Sequence, residues 1–192
     1  LLEDLKLARS EDTFNDVCLT GTDGGSVPAS RLILSMRSQV FHKMLYGSFK
    51  ESESLSVPLL FSSAIIEQLV QYCYSDKAGA PEGGVMDARQ MVRLRSAADF
   101  FALPELVEAM TGQISLLVVT NPGMACTVLD ELSAVGEAEG RLSQICISIL
   151  RVHGKAALLP VDYDDDDDPD TGVRACSPEV LAKVLSEEVV GK

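Results

Sequence analysis

Two histidines and five cysteines are the residues of this chain best able to hold a metal or to serve as base and nucleophile. His42 and His153 lie far apart and neither falls in a nucleophile motif. Within the apolar-periodic stretch around Phe41, His42 reads as a packed or surface residue rather than a ligand. Cys18, Cys73, Cys126, Cys146 and Cys176 are scattered singly, with no CxxC pair and no histidine at ligand spacing. Their odd number makes a closed disulfide framework awkward, so they read as reduced packing thiols of an intracellular protein. The run Gly-Thr-Asp-Gly-Gly at 21–25 sits between two extended stretches, not between a strand and a helix, and no Lys-Ser or Lys-Thr follows it. It is therefore not a phosphate loop. Asp164 to Asp168 place five carboxylates in a row without the alternating spacing and closing Glu of a calcium loop; they read as a solvated surface loop. No catalytic constellation, cofactor site or metal site follows. From the enzyme class only an acidic active site is left, resting on unsupported carboxylates.

Charge narrows the partners. Sixteen Lys and Arg against 29 Asp and Glu give a formal net charge of −13, which repels a phosphate backbone and speaks against nucleic acid. With 46% hydrophobic and 23% charged residues, the 192-residue chain is expected to fold as one medium domain or two small ones. No apolar run reaches the roughly 18 residues that a membrane span needs, and no charged-then-apolar leader precedes the fold. The sequence opens on Leu1 rather than Met and stops at Gly191-Lys192 straight after an apolar run, as expected of a piece of something longer.

The elements that must position any site follow from periodicity. Leu1, Leu2 and Leu5 give a short amphipathic helix that needs a partner surface. Val17 to Thr20 and Ser26 to Pro28 flank the turn signal Asp23-Gly24-Gly25 and predict a β-hairpin. From Arg31 to Tyr46 the residues Leu32, Ile33, Met36, Val40, Phe41, Met44 and Leu45 recur at three- and four-residue intervals around polar Ser35, Arg37, Ser38 and Gln39, which predicts two consecutive short helices. A short strand ends at Pro58. Ser62 or Ser63 then caps a well-buried helix carrying Ile65, Ile66, Leu69, Val70, Cys73 and Tyr74. Met91, Val92, Leu94 and Ala98 mark another helix, and Pro104 with Glu105 begins the next. This mixed cluster closes near Val119. Beyond Asn121 an antiparallel helix pair breaks around Gly136 to Gly140, and a last helix starts at Ser177 and presents Val180, Leu181, Val184 and Leu185.

Read together, the quoted motifs of the first hundred or so residues resemble a BTB (POZ) domain. Asp16-Val17 matches the family's opening acidic-hydrophobic strand. "VPASRLILSMRSQVFHKMLYGSF" is similar to its "aHraiLaarSpvFramf" segment through Leu34, Ser38, Val40, Phe41 and Met44. "KESESLSVPLLFSSAIIEQLVQYCYSD" matches through Glu51, Val57, Ile66, Tyr72 and Tyr74. "LRSAADFFALPELVEAM" resembles the closing "lL.aAdkygl..L...c" pattern through Leu94, Ala97, Ala98, Asp99, Phe101, Leu103 and Leu106. Ser30 stands where the family usually has a buried structural His.

The resemblance implies an α/β (α+β) fold, a short β-sheet flanked by a helical cluster over residues 1–119. An all-α, BACK-like region over 120–192 would follow, with an acidic insertion at about 155–176. It further implies a protein-interaction and homodimerisation module, not an enzyme, acting in the cytoplasm or nucleus. Phe49-Lys50-Glu51 has the hydrophobic-x-Glu form by which such proteins engage the cullin-3 scaffold of ubiquitin ligases, with Met44 and Tyr46 beside it. Leu1, Leu2 and Leu5, together with the charged pair Asp16 and Arg31, are the expected dimer contacts. A substrate adaptor of a cullin-3 RING ligase is the leading expectation; a scaffold in a transcriptional or cytoskeletal assembly without a cullin is the alternative.

Overall fold

The computed structural model describes Arg9, residues 14–47, 54–77 and 86–158, and near the C-terminus Pro178 and Ala182. The expected N-terminal helix, the Phe49-Lys50-Glu51 motif and the Asp164–Asp168 run lie outside the described residues, as does the last helix apart from Pro178 and Ala182, which are both helical and exposed.

Alternating burial makes the sheet. Strand β1 (Val17–Thr20) buries Val17 and Leu19, while β2 (Ser26–Ala29) buries Val27 and Ala29. The two pair antiparallel with Leu19 opposite Val27, so both apolar sets fall on one face. The turn between them uses Gly24 at φ +79°, which costs glycine little. Helices α1 (Arg31–Arg37) and α2 (Gln39–Tyr46) follow. The chain then returns as β3 (Ser56–Pro58), which pairs parallel to β1 with Val57 beside Leu19 and gives the order β2-β1-β3. Pro28 and Pro58 both sit on outer strands, where a missing N–H is tolerated.

Helix α3 (Ser63–Ser75) starts where the hairpin turn meets it. Asp23 accepts from the Ser63 N–H at 3.1 Å and from the Ser63 hydroxyl at 2.8 Å. The Ser63 side-chain hydrogen bond, followed by the backbone one, holds the Asp23 carboxyl below the usual carboxylate range. Ile65, Ile66, Leu69, Val70, Cys73 and Tyr74 are all buried, as the sequence predicts, and Tyr72 is buried with them.

Ser38 explains why a serine precedes Phe41 by three. Its Oγ accepts the Phe41 N–H at 3.1 Å, capping α2, and donates to the Phe101 carbonyl at 2.5 Å. The Phe41 and Phe101 rings stack above this link, 4.1 Å between centroids. Phe101 lies in the turn between α4 (Ala88–Phe100) and α5 (Pro104–Thr120). There the Leu103 N–H returns to the Ala98 carbonyl and the Ala102 N–H to Asp99, a Schellman end. Its left-handed position is occupied by Ala102 at φ 52°, where the resembling pattern has a glycine. Left-handed backbone costs an L-residue roughly 1–2 kcal/mol, and glycine returns part of that to unfolded-chain entropy. Ala102→Gly is therefore expected to raise stability by about 0.5–1 kcal/mol, read as a higher urea midpoint at unchanged slope.

The chain divides into two compact units. One comprises Leu1–Met86 and Leu94–Ala109, the other Asp87–Arg93 and Met110–Lys192. Helices α4 and α5 each run through both units. The second unit has its own core: Ala88 and Val92 of α4, Ile114 and Val118 of α5, and the buried faces of α6 (Met124–Ala134) and α7 (Arg141–Leu158). In it, Glu131 is buried and pairs with Arg93. No described helix is long and apolar enough to cross a membrane.

Cys18, Cys73 and Cys146 are free thiols, and burial pushes Cys73 and Cys146 up to about 12, too high for nucleophilic work. Cys126 is disulfide-bonded, which corrects the expectation of five reduced cysteines. An odd count argues against a closed framework but leaves room for a single bridge.

Candidate protein-interaction surface

Arg31, the first residue of α1, gathers three segments of the first unit. Its backbone N–H donates to Asp16 Oδ1 at 2.7 Å, so the expected charged pair meets through a helix-start hydrogen bond. Its guanidinium donates to the Leu45 carbonyl at 3.1 Å and to the Ser54 carbonyl. Next to each of these anchor points the sequence places a large apolar residue that stays exposed: Phe14 near Asp16, Leu32 after Arg31, Tyr46 after Leu45, Leu55 after Ser54. Met36, one turn beyond Leu32, is 77% exposed and Leu32 60%, while Leu34 between them is fully buried. Helix α1 thus has a covered face and an apolar uncovered one.

Of the cullin-side residues expected from sequence, Met44 is half-buried and Tyr46 exposed, its ring 5.9 Å from that of the exposed His42. Phe49, Lys50 and Glu51 lie outside the described residues, as do Leu1, Leu2 and Leu5. Sequence reasoning did not single out Leu32, Met36 and Leu55 as surface residues. The available signal was the seven-residue α1, whose Leu32, Ile33, Leu34 and Met36 point too many ways for one core to cover them all. It also missed Phe100, half exposed and edge-on to Phe61 at 5.8 Å.

Ser30, standing at the family's His position, keeps its place by backbone alone: its N–H donates to the Tyr74 hydroxyl at 2.8 Å. Burial pushes that hydroxyl above its ordinary value, and the bond from Ser30 pulls the other way. Among the described residues no three His, Cys, Asp or Glu side chains are grouped as a metal site.

A family model for the BTB/POZ domain matches residues 5–115, more than half of the chain. The chain belongs to the BTB/POZ family. As a BTB/POZ protein it is similar to Kelch-like protein 30 of Homo sapiens, 34% identical over 86 residues, which is 44% of this chain and 15% of that protein. A BTB/POZ domain-containing protein of Arabidopsis thaliana is 32% identical over 108 residues, 53% of this chain and 62% of the relative. The chain thus spans less than two thirds of the length of either relative. Among solved structures, the BTB domain of zebrafish PATZ1 aligns with a TM-score of 0.47 at 21% identity, covering 59% of this chain and 86% of that one. BTB/POZ domains are protein-interaction modules, and this is the class of function that the matched region brings to the chain. The family match ends at residue 115, before α6 and α7.

Proposed function

We propose that this BTB/POZ chain homodimerises through the outer face of α1 and acts inside the cell as a substrate adaptor for a cullin-3 type RING ubiquitin ligase. The region over 120–192 would be a BACK-like extension. The uncovered Leu32–Met36 stripe carries the reading, because an apolar face on a helix whose other face is already packed is stabilised by a second copy of the same surface. For the cullin, support comes from Phe49-Lys50-Glu51, which begins three residues after the end of α2 and has the form of a large apolar anchor with a polar rim.

Light scattering at tens of micromolar should give a dimer mass, and Leu32→Asp combined with Met36→Asp should give a folded monomer. Calorimetric titration with the N-terminal region of cullin-3 should show binding that Phe49→Ala weakens by about 2 kcal/mol or more, that Lys50→Ala leaves nearly unchanged, and that Glu51→Ala weakens by an intermediate amount. No heat of binding from the native dimer would overturn the adaptor reading and leave an interaction module without a cullin. A native monomer would overturn the dimer.

A further inference from the structure

Helix α1 is held from its covered side. It has seven residues, too few to be stable alone, and Leu34 is the one among them that is fully buried. A single buried contact leaves the roll of so short a helix about its axis to be set at its ends. In the last turn this falls to Arg37, three residues beyond Leu34 and so on the same side of the helix. Its guanidinium lies over the ring of the buried Tyr72, 5.6 Å from the centroid, and its Nη2 pairs with Asp76 Oδ1. Both partners are fixed by α3: the Asp76 N–H, at a left-handed φ of 55°, closes the helix on the Tyr72 carbonyl at 2.9 Å. The Arg37 side chain is 34% exposed, so the ion pair by itself would hold little, and the aromatic face beneath the cation makes the contact firm. Leu32 and Met36, two residues before and two after Leu34, face the opposite way and stay exposed.

We infer that Arg37 is a positioning residue for self-association: by clasping the end of α1 to Tyr72 and Asp76 of its own subunit's α3, it sets the roll of the helix that presents Leu32 and Met36 to a second copy. This rests on the homodimer reading above. The physical gain is preorganisation. A two-fold interface repeats any misorientation of α1 in both subunits, and a helix already held in its bound orientation loses less freedom when the copies meet. Arg37 needs no contact with the second copy to do this.

The test is the dissociation constant of the full chain by sedimentation, alongside thermal melts, for the native protein, Arg37→Ala, Arg37→Lys, Asp76→Asn, Met36→Ala, Arg37→Ala combined with Met36→Ala, and Asp23→Asn. Arg37→Ala should weaken self-association about tenfold. Arg37→Lys keeps the charge but not the flat guanidinium over Tyr72, and should recover only part of the loss. Asp76→Asn, which keeps a residue tolerant of the left-handed backbone, should weaken association by less than Arg37→Ala does. In the Met36→Ala background Arg37→Ala should cost only about threefold, because part of what it orients is gone. Asp23→Asn, which disturbs the hairpin's link to Ser63, should lower the melting temperature and leave the constant unchanged. A folded Arg37→Ala protein with the native constant overturns the role of Arg37 while the dimer stands; should that variant not fold, a native constant for Asp76→Asn does the same. A full tenfold cost in the Met36→Ala background overturns action through the stripe, and an equal weakening by Asp23→Asn shows that lost stability alone is responsible. A native chain that is monomeric throughout overturns the dimer and the role of Arg37 together.

Discussion

Phe101→Ala is expected to lower the unfolding free energy by about 3–5 kcal/mol, as for other buried aromatic truncations. The ring is fully buried, stacked on Phe41 at 4.1 Å and within 6.0 Å of Phe61, so its removal leaves a void between α2 and the α4–α5 turn. The substitution isolates the ring, because the Phe101 carbonyl can still accept from Ser38. Set against a total stability of roughly 5–15 kcal/mol for a folded domain, the loss is large. Its neighbour supplies the control: Phe100 is half exposed, and Phe100→Ala should cost less than about 1 kcal/mol. Urea melts of the two variants decide the matter, and equal midpoints would show that the Phe41–Phe101 stack is not a principal element of this core.

A single added methyl group should act with opposite signs at two glycines. At Gly21 a Cβ would fall 2.4 Å from the Ser63 nitrogen, 3.0 Å from the Ser62 carbonyl carbon and 2.6 Å from Asp23 Oδ1. Two of these neighbours are backbone at the start of α3 and the third is the carboxylate that caps it, so the hairpin and the helix must move apart. Gly21→Ala is expected to cost about 3 kcal/mol, the upper part of the usual range for overpacking. At Gly112, inside α5, a Cβ would meet nothing within 4 Å. Gly112→Ala is expected to gain about 0.5–1 kcal/mol, the ordinary difference between the two residues in a helix. Differential scanning calorimetry should show the two transitions on opposite sides of the native one. A destabilised Gly112→Ala would mean that the exposed side of α5 is covered in solution.

Much of the fold is legible because its causes are local. Period-two burial in Val17–Thr20 and Ser26–Ala29, the glycine turn between them and the three-residue spacing from Ser38 to Phe41 can be read from neighbouring residues alone. So can family membership, since its motifs are runs of such local choices. The parallel pairing of β1 with β3 could not be read this way, because it joins residues 38 positions apart, as with Cys18 and Ser56. Nor could the sharing of α4 and α5 between two cores: helical periodicity shows that a helix has an apolar side, not which packed body that side enters.

The same distinction governs the candidate surface. The sequence by itself determined that α1 carries four large apolar residues, Leu32, Ile33, Leu34 and Met36, that Phe100 and Phe101 stand side by side, and that Asp16 and Arg31 are present to be paired. Only the tertiary structure decided that Leu34 goes inside while Leu32 and Met36 stay outside, that Phe101 is enclosed and Phe100 is not, and that Asp16 meets Arg31 at its backbone N–H. The reason is that burial is a property of a place between elements, set by whatever long-range partner arrives there. Residues of equal hydrophobicity therefore become core or interface according to which face the sheet and α3 have already covered.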